Sequence, residues 1–302
     1  MGTIEVLEEP LLEFRYHQHM QSPPDGLGLF GPYDTDNPTH PKNITYYLIG
    51  TENGINKFLE WIPLLNQPLK PGEKYENRLW PPFPGFDVAF CSELPEKAIR
   101  SHEIPEDDLI KSSTNIDRNL RAFNVVEMYI EGIKKTEKMD DNFDVIICVV
   151  PELIYKNCRP KSYLEQGWGY KPTKEDIKSR SKGQKSIFSY EKNHDIDDNW
   201  TIEHYRHSID FRRQLKARSM KYKIPIQIVR ESTLILGDKN IDINRGLTPI
   251  SDRAWNLSTS LYYKSGAKPW KLATAREGVC YIGISFKRSE FGKDIKSACC
   301  AA

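Results

Sequence analysis

The sequence predicts an α/β fold with a Rossmann-like layer, and three features carry that expectation. Strand-like and helix-like segments alternate between residues 45 and 150, the pattern that builds a sheet covered by helices. Val145–Val150 is an unbroken apolar, largely β-branched run halted by Pro151, which suits a strand buried on both faces of a parallel sheet. Ile116, Leu120, Phe123, Val126, Ile130 and Ile133 recur at steps of three and four, one apolar stripe along a helix. At 302 residues the chain suffices for two domains, or for one large α/β domain with a smaller neighbour.

The elements follow in order. Residues 23–32 and 81–85 are rich in Pro and Gly and read as loops. Residues 45–50 read as a strand, and Ile55, Phe58, Leu59, Ile62 and Leu65 recur at helical spacing. A second strand is expected near residues 86–90, before the long amphipathic helix and the strand ending at Val150. Neither a Gly-x-Gly-x-x-Gly nor a P-loop motif accompanies the layer, which leaves a dinucleotide or P-loop site with little support. Residues from about 155 to 200 are polar and aperiodic, an expected insertion or mobile loop. Its basic run from Lys178 to Lys185 suits a solvated face better than a nucleic-acid contact. Residues 210–222 then predict a helix ended by Pro225, residues 224–229 a strand, and residues 255–266 a second helix with Lys264 just before a Gly stop.

Charge is polarised along the chain although 43 basic and 42 acidic residues nearly cancel to +1. Residues 201–230 hold eight basic residues against Glu203 and Asp210, a balance of +6, whereas residues 101–145 balance at −5. Any case for a nucleic-acid partner therefore rests on local clustering. The start shows no secretory signal, and no apolar stretch approaches the ~20 residues that span a bilayer, so a cytoplasmic protein without a membrane partner is expected. The six cysteines form no Cys-x-x-Cys pair and read as reduced thiols. His17-x-His19 and Cys299-Cys300 lack a second ligand pair at zinc-like spacing, so no metal site is expected there.

The basic region contains the candidate site. Arg212 and Lys216 stand at i, i+4 on the first of those helices, where like charges repel unless an anion lies between them. Gln227 interrupts the face of the strand opposite to Ile224, Ile226 and Ile228, and an amide there calls for a hydrogen-bond partner. With Lys264 on the second helix these groups make a pocket for one phosphate, each charge-assisted hydrogen bond contributing roughly 1.5–3 kcal/mol. A solvated basic helix face is the plainer alternative.

These same residues carry a resemblance. The run Ile224-Pro225-Ile226-Gln227-Ile228-Val229, with Leu215-Lys216-Ala217-Arg218 before it and Leu261-Tyr262-Tyr263-Lys264-Ser265-Gly266 after it, resembles the MID domain and MID–PIWI junction of short prokaryotic Argonautes. Asp25-Gly26-Leu27-Gly28-Leu29-Phe30-Gly31-Pro32 and Pro82-Phe83-Pro84-Gly85-Phe86 look like that family too. The resemblance implies a Rossmann-like MID domain over residues 1–274 and the opening strand or strands of an RNase H-like PIWI domain over residues 275–302. It implies that Lys216, Gln227 and Lys264 hold the 5′-phosphate of a guide strand, with Arg212 one turn before Lys216 and Arg213 as its rival. The aromatic residue that usually stacks on the first guide base has no evident counterpart.

Tyr281-Ile282-Gly283-Ile284-Ser285-Phe286 resembles the first PIWI strand, in which slicing members carry Asp where Ser285 stands. A two-metal nuclease needs that carboxylate, so no slicing activity is expected and the chain is expected not to be an enzyme. The resemblance further implies a guide RNA that pairs with single-stranded target DNA, and a heterodimer with an APAZ-domain partner. That partner would bear the effector, a TIR domain in preference to a sirtuin-like or nuclease domain, acting in anti-plasmid and anti-phage defence through NAD depletion. No cofactor is required beyond, at most, a Mg2+ ion at the guide 5′-phosphate, and the C-terminal contribution that some members make to that ion is absent from this sequence. Family members continue past the point where this sequence stops, so a missing portion, a truncated product or a second chain is expected to complete the PIWI sheet. Two rivals stand beside this reading: a stand-alone nucleic-acid hydrolase using acids such as Asp87, Asp144 and Asp238, and a scaffold that keeps only the partner interface.

Overall fold

The computed structural model describes residues 9–73, 75–160, 162, 204, 207–236, 247–276, 278–279, 282–288 and 297–301. Its centre is a four-stranded parallel sheet of β3 (Tyr46–Gly50), β4 (Arg100–Glu103), β5 (Val145–Val150) and β6 (Ile226–Arg230), in the spatial order β4-β3-β5-β6. The period-2 alternation of a strand sends Val145, Ile147 and Val149 into one core and Ile146, Cys148 and Val150 into the other. On the first face lie α2 (Glu52–Leu65), α3 (Phe86–Phe90) and α8 (Ile250–Lys264). On the second lie α4 (Glu106–Ser113), α5 (Arg118–Thr136), α6 (Glu152–Asn157) and α7 (Phe211–Ser219). The mixed α/β architecture agrees with the expected fold class.

Local chemistry explains where these elements begin. Thr51 caps α2 through Oγ1, which accepts from Gly54 N–H at 3.1 Å, and Asp117 caps α5 by accepting from Asn119 N–H at 2.9 Å. Asp144 Oδ2 accepts from both the backbone N–H and the hydroxyl of Thr45, at 2.8 and 2.9 Å. It thereby ties the entrance of β5 to that of β3, a structural role for one of the acids considered for hydrolysis. Asp87 lies in the first turn of α3, and Asp238 lies outside the described residues.

The structure corrects two expectations and adds a strand. Residues 86–90 form α3 and not a strand: Phe86, Ala89 and Phe90, at i, i+3 and i+4, all turn into the core, where Phe90 packs on Tyr262 at 4.9 Å between centroids. The sheet position that this run would have taken belongs to β4, a polar and mostly exposed edge strand without an apolar signature. Residues 23–30 form α1 (Pro23–Phe30) and not a loop, because Pro23 and Pro24 occupy the first turn, where the N–H groups have no helical acceptor.

The N-terminal region closes on the end of the α/β layer. β1 (Leu12–Glu13) pairs with β2 (His19–Met20) and with β7 (Lys271–Leu272), all antiparallel. Glu13 is buried there and accepts from His17 Nδ1 at 2.8 Å, with Lys271 Nζ at 3.2 Å from its other oxygen. Both residues of the His17-x-His19 pair thus face one carboxylate, His19 Nε2 lying 4.0 Å from it. The remaining strands, β8 (Ile284–Arg288) and β9 (Ser297–Ala301), pair antiparallel with each other, with Ser285 opposite Cys300. Tyr281 and most of residues 155–200, the basic run from Lys178 to Lys185 included, lie outside the described residues.

Candidate functional site

The candidate residues gather at the open edge of the sheet, along β6. Ile146 N–H bonds the Pro225 carbonyl at 2.9 Å, and since successive strand carbonyls point in opposite directions, the Ile226 carbonyl faces the edge. Lys264, in the last turn of α8, donates its ammonium to that carbonyl. Next to it on the strand is Gln227, half-buried, whose amide nitrogen donates to the Ile228 carbonyl at 3.3 Å.

From the other side comes α7. Asp210 caps it by accepting from Arg213 N–H at 3.0 Å, and the first turn then carries two arginines and no acid. Cations at a helix N-terminus oppose the helix dipole, which favours an anion there. Arg212 and Lys216, one turn apart and both exposed, lie close enough to Lys264 to repel it. Burial, then Lys216 and Arg212, push the Lys264 ammonium down to about 8. Burial, then Arg212, lower Lys216 as well. No carboxylate contributes to either shift. Nearby acids are engaged elsewhere: Glu231 receives Lys57 at 2.9 Å, Glu127 receives Arg218, and Glu152 receives Arg230. Among the described residues, three cations therefore gather with no carboxylate contributing to the shifts of Lys216 and Lys264, an arrangement that a bound anion would relieve.

A cavity of about 690 Å3 opens beside this cluster, at the carboxyl ends of β5 and β6, where open α/β sheets hold their ligands. Arg212 and Gln227 line it together with Tyr155, Arg159, Arg230 and Asn256. Arg230 lies over the Tyr155 ring at 3.2 Å and Arg159 at 4.2 Å. Arg230, then Arg159, hold the Tyr155 phenol below its ordinary pKa against the opposing effect of burial. Lys216 and Lys264 are not among the lining residues, so the cluster and the cavity meet at Arg212 and Gln227. Arg213, although next to Arg212, does not line the cavity either.

Tyr155, Arg159 and Asn256 escaped the sequence reading. Tyr155 and Arg159 stand about 70 residues from β6, at the start of a segment that looked like an insertion, and Asn256 lies one helical turn before Ser260 on a helix recognised only for Lys264. The excess of arginine near α7 was the available signal, but it did not say which arginines share a space. The cluster's donors are ammonium, guanidinium and amide groups, which do not fit Mg2+, an ion that takes oxygen ligands. Among the described residues no group of three or more His, Cys, Asp or Glu stands ready to hold a metal ion. Among them, too, no helix is long and apolar enough to cross a membrane.

No protein-family model matches the chain, and no curated protein matches it. Among solved structures the chain is similar to an Argonaute, Aa-Ago with externally bound siRNA, at 15% identity and a TM-score of 0.41. The similarity covers 95% of this chain and 27% of that one, so this chain spans about a quarter of that protein's length.

Proposed function

We propose that this chain anchors the 5′-phosphate of a guide nucleic acid at the β6 edge. The observation that carries the reading is the convergence of Arg212, Lys216 and Lys264 beside Gln227 with no carboxylate among them. A phosphate placed there accepts from ammonium, guanidinium and amide donors. Lys264 keeps two N–H donors after bonding the Ile226 carbonyl, and the like-charge repulsion that adds to burial in lowering Lys216 and Lys264 becomes attraction to a shared anion.

The finer reading follows the sequence resemblance to short Argonautes. The guide is RNA, it presents its bases to single-stranded target DNA, and base pairing supplies the specificity while the protein reads the phosphate backbone. The chain cleaves nothing itself, in keeping with Ser285 where slicing members have Asp. It works as one half of a heterodimer with an APAZ-domain partner in the cytoplasm, where target binding activates the partner's effector, a TIR-type NAD-degrading domain in preference to a sirtuin-like or nuclease domain.

The test is equilibrium binding of one RNA with a 5′-phosphate and the same RNA with a 5′-hydroxyl. The phosphate end is expected to bind at least about tenfold tighter, the scale of one charge-assisted hydrogen bond. Lys264→Ala and Gln227→Ala should each shrink that preference. Equal binding of both ends, or no binding, would leave a scaffold role as the better account.

A further inference from the structure

A single phosphate held by Lys216, Gln227 and Lys264 leaves the far side of the cavity unexplained. Among the described residues the lining there adds Arg159 and Arg230 to Arg212, and Arg253 as well, against one acid, Asp210, whose Oδ1 already caps α7. Arg253 is committed to the carbonyls of Thr233 and Ile235, at 2.6 and 2.9 Å, and so organises the wall. Tyr155 supports the Arg230 guanidinium from below and Glu152 holds it from one side, and its Nε is buried with no hydrogen-bond partner among the described residues. A buried donor without an acceptor is costly, and native proteins rarely keep one without a use. Arg159, exposed and over the same ring, adds a second guanidinium. The cavity's volume falls within the roughly 300–1,000 Å3 of sites that hold whole small molecules, more room than a lone phosphate needs.

From this we infer that Arg159 and Arg230 form a second phosphate subsite, separate from the first and joined to it through Arg212 and Gln227. The inference rests on the phosphate-anchor reading above. Two sources supply the same chemistry: the next internucleotide phosphate of a strand, or the β-phosphate of a strand with a 5′-diphosphate end. Planar guanidinium groups suit either, since each offers paired N–H donors to two phosphate oxygens.

The experiment measures binding of four probes to the full chain: a nucleoside, its 5′-monophosphate, its 3′,5′-bisphosphate and its 5′-diphosphate. A second phosphate is expected to tighten binding by about tenfold or more over the monophosphate, in the bisphosphate if the subsite takes the strand's next phosphate and in the diphosphate if it takes the end group. Arg159→Gln, at an exposed position, and Arg230→Gln should each remove that increment and leave the step from nucleoside to monophosphate intact. Lys264→Ala should do the reverse. If neither doubly phosphorylated probe gains over the monophosphate, or the gain survives both arginine variants, the subsite is refuted while the anchor stands. If the monophosphate gains nothing over the nucleoside, anchor and subsite fall together.

Discussion

The two edges of the central sheet carry their charges in opposite ways. At β4, Arg100 is held by Asp141, which raises its pKa from the ordinary value. Charged residues on an exposed edge strand keep other chains from pairing with it, a protective role that needs no ligand. At β6, burial first and then the neighbouring cations push both Lys264 and Lys216 down. One edge pairs its cation with a carboxylate, whereas at the other no carboxylate among the described residues contributes to the shifts of Lys216 and Lys264. Paired charge accounts for itself structurally, whereas crowded charge of one sign persists where something else completes it.

Reversing the crowded charge should have the largest effect. Lys216→Glu combined with Lys264→Glu is expected to abolish the preference for a 5′-phosphate, a loss on the order of a hundredfold, since two charge-assisted bonds are removed. Arg100→Glu at the other edge should leave guide binding unchanged in the same equilibrium assay. Equal losses at both edges would reduce the site to general basic character.

The pH dependence should be next in size. A phosphate needs the charged form of Lys264, so affinity is expected to fall as pH rises through about 8, by up to about tenfold per unit for one proton. The unliganded protein should respond in the other direction. Between about 8 and the ordinary value of 10.5 the unfolded chain holds a proton on this lysine that the folded chain lacks, so the contribution to stability rises with pH. Lys264→Arg, whose guanidinium stays charged, should flatten both trends; binding curves that match the wild type across that range would remove Lys264 from the anchor.

The smallest effect sharpens the contrast most. Ser260 lies one turn before Lys264 on α8, with its hydroxyl on the Asn256 carbonyl at 2.7 Å. Ser260→Glu supplies the missing counter-charge at i, i+4, a stabilisation of about 0.2–0.5 kcal/mol visible as a small rise in Tm. The same carboxylate competes with phosphate and should weaken the 5′-phosphorylated RNA several-fold. A variant in which stability and affinity moved together would argue that the lysines serve the fold.

How much of this was legible in the sequence follows from the range of the interactions. Val145–Val150 and the stripe from Ile116 to Ile133 are local patterns repeated often enough to be unambiguous. Phe86–Phe90 is too short for its period to separate helix from strand, and only its packing against Tyr262 decided the matter. Arg100–Glu103 joins the sheet through backbone pairing alone, which side-chain periodicity does not report. Arg212, Lys216, Gln227 and Lys264 were legible because each sits on a recognisable element. The meeting of Tyr155 and Arg159 with Arg230 was not, because it is made by the tertiary fold from distant segments.

The most direct test is the titration of the Lys264 ammonium itself, followed by NMR in the free protein and with RNA bearing a 5′-phosphate or a 5′-hydroxyl. The account predicts a midpoint near 8 in the free protein, moved upward by the phosphorylated RNA and left in place by the hydroxyl form. A midpoint at the ordinary lysine value of 10.5, indifferent to both RNAs, would contradict it.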